Sequence, residues 1–93
     1  MSLLRKTLPV ARRVLGDMHD HTIYMRRNYA MALYRDPAAS LDDLREAVTT
    51  LEDTVRTARR VLGGAHPLVV GIEQHLRISR AVLRARETPP PSA

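Results

Sequence analysis

The chain contains no cysteine, no tryptophan and no phenylalanine. Without cysteine there is no disulfide, no thiol nucleophile and no cysteine-held metal. Tyr24, Tyr29 and Tyr34 are the whole aromatic complement, so the core must be built from Leu, Val, Ile, Met and Ala. Such side chains suit closely packed helices, whereas a β-sandwich draws on aromatic and β-branched residues. Long apolar runs are also missing. None approaches the ~20 residues of a membrane span, and the charged start Met1-Ser2-Leu3-Leu4-Arg5-Lys6 lacks the apolar stretch of a signal peptide. A soluble, cytoplasmic protein without membrane contact is the expectation.

What is present is 93 residues, room for one domain close to the size at which a single core is marginal. Fifteen basic residues stand against ten acidic ones, a formal net charge of +5, and every basic residue except Lys6 is Arg. A basic balance attracts nucleic acid, anionic membrane or acidic protein, although a solvated arginine-rich surface explains it more simply.

Breaks at Gly16 to Asp20, Asp36 to Ser40, Gly63 to Pro67 and Pro89 to Pro91 divide the chain into four segments that all read as helices. They span about 3–15, 20–34, 41–62 and 67–86 within one domain of residues 1–86, with 87–93 as a disordered proline-rich tail. In the third segment Ser40 caps the start, with Asp43 completing a capping box. Leu41, Leu44, Val48, Leu51, Val55, Ala58 and Leu62 then alternate gaps of three and four, one apolar seam down a helix. Glu52 and Arg56 sit four apart in the order that favours an ion pair. Gly63 supplies a left-handed stop.

Pro67 opens the fourth segment as a first-turn proline. Val69, Ile72, Leu76 and Leu83 form its main stripe, with Ser79 in the missing step, and Arg77, Arg80 and Arg84 form a basic stripe opposite. Its apolar arc is wider than one neighbour covers. Val70, Ile78 and Val82 have no assigned cover and read as an interface for a second copy or a partner helix. In the second segment Ile23, Tyr29, Ala30 and Leu33 give the inner face, with Met25 and Met31 close by. In the first, Leu4, Leu8, Ala11 and Leu15 share a face. As an alternative to a start near residue 3, Pro9 can be the first-turn proline of a helix capped by Thr7, leaving the first six residues loose.

Ala11-Arg12-Arg13-Val14-Leu15-Gly16 recurs letter for letter as Ala58-Arg59-Arg60-Val61-Leu62-Gly63, an offset of 47 residues at which His19 also meets His66. A repeat in this range points to a helical array: each Leu-Gly ends a helix and each His region opens the next. Leu15-Gly16-x-x-His19-x-x-Thr22 and Leu62-Gly63-x-x-His66-Pro67 resemble the junction of kinesin-light-chain-type tetratricopeptide repeats. Asn28-Tyr29-Ala30-x-x-Leu33-Tyr34 is similar to the first helix of that repeat. In the second copy His75 stands in the place of Asn28 and Arg77 in that of Ala30. The resemblance covers about residues 10–86 and implies stacked helical hairpins that offer a groove to a peptide. It implies groove positions at Tyr24, Arg27, Asn28, Met31 and Arg35, with Asn28 bonding a ligand backbone or carboxylate and the arginines favouring an acidic segment.

Chemistry-bearing clusters are few. His19, Asp20 and His21 beside Asp17 have the ligand types of a metal site, yet His66 occupies the matching place without such a cluster, so a junction role explains both. Ser79 lies four residues from His75, but no orienting third group completes a nucleophilic site. Asp42-Asp43 and Glu52-Asp53 lie on exposed helix turns, and Gly63-Gly64 is no phosphate loop. Three tyrosines in one segment are thin stacking for a single-strand binder. The expectation is therefore an all-α chain of about four antiparallel helices, tetratricopeptide-like hairpins or a small bundle. Its expected role is a non-catalytic protein-interaction module or scaffold that takes a peptide or partner helix, self-associates, and needs no cofactor or metal. A nucleic-acid-binding module using Arg77, Arg80 and Arg84 is the alternative.

Overall fold

A computed structural model describes residues 2–16 and 18–88. They form helices α1 (Ser2–Leu15), α2 (Asp20–Arg35), α3 (Leu41–Leu62) and α4 (Pro67–Glu87), and no strand occurs among the described residues. The fold is all-α, a small four-helix assembly. Glu87 still belongs to α4, where a tail was expected, and residues 89–93 lie outside the described part. The helix ends follow local chemistry. Gly16 and Gly63 take positive φ, 84° and 88°, a conformation that L side chains rarely adopt. Three residues after each glycine, the Nδ1 of His19 and of His66 accepts the N–H of His21 and of Leu68, both at 3.1 Å. The sequence repeat is thus a repeat of geometry: glycine stop, then histidine cap. Ser40 and Asp43 form the reciprocal capping box, with bonds of 3.0 and 3.1 Å.

Pro9 does not delay α1. The helix is continuous from Ser2, with the exposed proline inside it, at the cost of the bond that residue 9 would have given the Arg5 carbonyl.

The helices build a layer rather than a bundle around one axis: the extents are 50 × 31 × 14 Å. α3 packs against both α2 and α4, α2 also touches α4, and α1 packs on α2. Having two neighbours widens the buried arc of α3 beyond its seam. Leu44, Leu51, Val55 and Ala58 are buried as the seam requires, but Ala47 and Thr54 are buried beside them, while Leu41 at the helix start is exposed. Ile23, Tyr29, Ala30 and Leu33 of α2 are buried, as are Val69, Ile72, Leu76 and Ser79 of α4. α1 contributes Leu8 and Ala11, the counterparts by the 47-residue offset of Val55 and Ala58 on α3; Leu15 is exposed.

Ion pairs fix the antiparallel register of α3 and α4: Arg59 to Glu73 at 2.6 Å, Glu52 to Arg80 at 2.9 Å and Arg45 to Glu87 at 3.5 Å. Glu52 therefore does not pair with Arg56. Arg56 bonds Asp53 at 3.0 Å, because the neighbouring helix claims Glu52. Arg86 donates to the Ala39 and Pro37 carbonyls at 2.9 and 3.0 Å, tying the α2–α3 loop to the end of α4.

Candidate functional site

The centre of the candidate site is a polar contact between α2 and α4. The Tyr34 hydroxyl lies 2.7 Å from His75 Nδ1, and the two rings are 6.1 Å apart between centroids, tilted by 48°. Tyr34 is buried and His75 half-buried. Burial pulls the His75 imidazole below its ordinary range, and the Arg35 and Arg27 guanidiniums push the same way. The contact therefore sits beside two guanidiniums that disfavour the charged imidazole.

Those cations belong to the stripe anticipated on α2. Arg27 lies over the Tyr24 ring, 5.0 Å from its centroid, and donates to Asn28 Oδ1 at 3.0 and 3.3 Å. Arg35 lies over Tyr34, 5.9 Å from that centroid. Tyr24, Asn28 and Arg35 are exposed, Arg27 is half-buried, and Met31 packs partly against the core. The structure thus brings Tyr24, Arg27 and Asn28 into one group and Arg35 into another with Tyr34. The Asn28 carbonyl oxygen is engaged by Arg27, which leaves its amide nitrogen as the group for a ligand. Such stacked guanidiniums keep their remaining N–H forks for an oxyanion.

On α4 the three residues expected to lack cover part company. Val70 and Ile78 are exposed, but Val82 is half-buried against the core. Val82 is thus partly covered by the core, where no cover was expected. Ile78 stands 47 residues after Met31 and holds on α4 the register position Met31 holds on α2. The basic stripe is not uniform either: Arg80 is bound to Glu52, whereas Arg77 and Arg84 are exposed and make no ion pair among the described residues.

Tyr34 and His75 carry the link between the helices, and neither was expected to. His75 had a visible signal, since it takes the place of Asn28 in the second copy. Tyr34 had none, because only the crossing of α2 over α4 decides its neighbour. Ser79 does not reach His75; its buried hydroxyl donates to the Leu76 carbonyl at 3.0 Å. His19 and His66 use Nδ1 for capping, and among the described residues no three His, Asp or Glu side chains gather as a metal site requires. Among the described residues no helix is long and apolar enough to cross a membrane. Comparison with known protein families, with curated proteins and with solved structures finds no match for this chain.

Proposed function

We propose that the chain is a non-catalytic interaction module that binds an acidic peptide segment across the α2/α4 face. The observation that carries this reading is the Tyr34–His75 contact, which holds α2 and α4 side by side with Arg27 and Arg35 close enough to bias the histidine. An extended segment on that face meets the Arg27 and Arg35 cations, the Asn28 amide and the apolar surfaces of Tyr24, Met31 and Ile78. A carboxylate in it pairs with a guanidinium in a charge-assisted bond. The resemblance to kinesin-light-chain-type repeats supports the same face, since its groove positions fall there. The nucleic-acid alternative is the weaker one, because Glu52 already occupies the middle arginine of the α4 stripe.

The test is a titration of the full chain with an acidic peptide and with a mixed oligonucleotide, each at low and high salt. The acidic peptide is expected to bind. Bonds to charged groups contribute about 1.5–3 kcal/mol, so Arg27→Ala and Arg35→Ala are each expected to weaken it about tenfold or more. Binding of the oligonucleotide alone, lost in Arg77→Ala/Arg84→Ala, would replace this reading with the nucleic-acid one.

A further inference from the structure

The Tyr34–His75 contact joins α2 to α4 on the face that carries Arg27 and Arg35. The Tyr34 hydroxyl serves this contact in either protonation state of the ring. It donates to a bare Nδ1, and it accepts from an Nδ1 that carries a proton. Protonation of His75 therefore changes the charge of the face without breaking the link between the helices. The ring is half-buried, so a charge on it is screened less than one on a free surface side chain.

The surroundings of the ring supply a coupling. From α2, Arg35 lies over the Tyr34 ring, 5.9 Å from its centroid, and Arg27 lies over Tyr24. These two guanidiniums are the charges that act on the imidazole, and with burial they hold it below its ordinary range. From α3, the other helix packed on α4, Arg45, Glu52 and Arg59 are engaged with Glu87, Arg80 and Glu73. On α4 itself the residues three and four away from His75 are Gly71, Ile72, Ile78 and Ser79, all uncharged. Arg77 stands two residues along, a spacing that does not bring helical side chains face to face. The 47-residue offset also gives His75 the register position on α4 that Asn28 holds on α2. A carboxylate held by Arg27 or Arg35 cancels the repulsion that they exert on an imidazolium and adds an attraction of its own.

We propose that the α2/α4 face couples ligand binding to proton uptake by His75, and so takes acidic peptides more tightly in mildly acidic solution than at neutral pH. The inference rests on the reading of this face as the peptide site. Linkage makes the coupling reciprocal: the factor by which the bound peptide favours the imidazolium is the factor by which the imidazolium favours the peptide.

Calorimetric titration of the full chain with an end-blocked hexa-aspartate peptide, at about pH 7.5 and about pH 5, tests the coupling. Histidines change charge between these values while aspartates stay ionised. The affinity is expected to rise ~5-fold or more on acidification. At an intermediate pH, the heats in two buffers of different ionisation enthalpy are expected to show protons taken up on binding. His75→Gln, whose amide can still bond the Tyr34 hydroxyl, is expected to bring the ratio of the two affinities close to one. Should that variant fail to fold, the NMR titration of the His75 ring in the parent gives the same readout. Its midpoint is expected below 6.5 in the free chain and higher with peptide bound. Equal affinity at both pH values, or a rise that His75→Gln keeps, overturns the coupling and leaves the peptide site standing. The absence of binding at both pH values overturns the peptide site and the coupling with it.

Discussion

At the scale of single residues, two tyrosines tie the helices together through their hydroxyls, and burial shifts the titration of Tyr29 and of His75. Burial, reinforced by the Glu46 carboxylate it bonds, pushes Tyr29 up to about 12. Tyr34 meets His75, whose folded-state value is lowered from 6.5 by burial and by Arg35 and Arg27. For a base with a lowered folded value, the unfolded chain binds the proton first. Stability is therefore complete above the unfolded value and is lost as pH falls through it toward the folded one. The melting temperature is expected to drop as pH falls through 6.5 and below, and His75→Gln is expected to flatten that segment of the profile. An unchanged slope in the variant would assign the acid sensitivity to other groups. An acidic ligand beside Arg27 and Arg35 opposes their effect on His75, so peptide binding on the proposed face raises the value of that histidine.

At the scale of the element, α3 is the helix on which the others depend. Its capping box, its seam and its glycine stop agree with one another, and it packs on both α2 and α4. Leu51 sits fully buried at the middle of the seam. Leu51→Ala is expected to cost about 2–5 kcal/mol, a large part of the stability of a domain this small. Urea denaturation of the variant against the parent measures the loss, and an unchanged midpoint would place a different face inside. α1 stands at the other extreme. It buries Leu8 and Ala11, leaves Val10 and Val14 exposed, and has one of its helical bonds removed by Pro9.

At the scale of the whole molecule, the 47-residue repeat makes α1 and α2 the counterparts of α3 and α4, yet the two halves present different outer faces. Ile23, Ala30 and Leu33, buried in α2, correspond to Val70, Arg77 and Arg80 on α4, which are exposed. A further helix stacked on α4 as α3 is stacked on α2 would have to desolvate Arg77 and break the Arg80–Glu52 pair. The same arginines oppose a twofold contact through this face, and with Val82 half-buried the exposed apolar residues there are Val70 and Ile78. Sedimentation is accordingly expected to give a monomer at micromolar concentration. Ile78→Glu is expected to leave the mass unchanged while weakening the acidic peptide. A dimer that this substitution dissociates would return α4 to the role of a self-association surface.

The sequence by itself determined the four helices and their breaks, and the capping box and glycine stop of α3, but not the start of α1, which runs through Thr7 instead of being capped there. Each of these depends on groups within a few residues of one another: a glycine that accepts positive φ, a histidine or serine that bonds an N–H two or three residues on, a seam with helical period. The positions Tyr24, Arg27, Asn28, Met31 and Arg35 came from the family resemblance, and all five lie on α2. Tertiary structure alone decided which arginine each carboxylate meets, that Tyr34 faces His75 across 41 residues, that Ala47 and Thr54 join the buried arc of α3, and that Val82 is half-buried while Ile78 is exposed. It alone gathered Arg5, Arg12, Arg26, Arg56 and Arg60 around two adjoining clefts. Those outcomes depend on how helices cross. The crossing is set by the summed packing of many side chains, so no short stretch of residues encodes it.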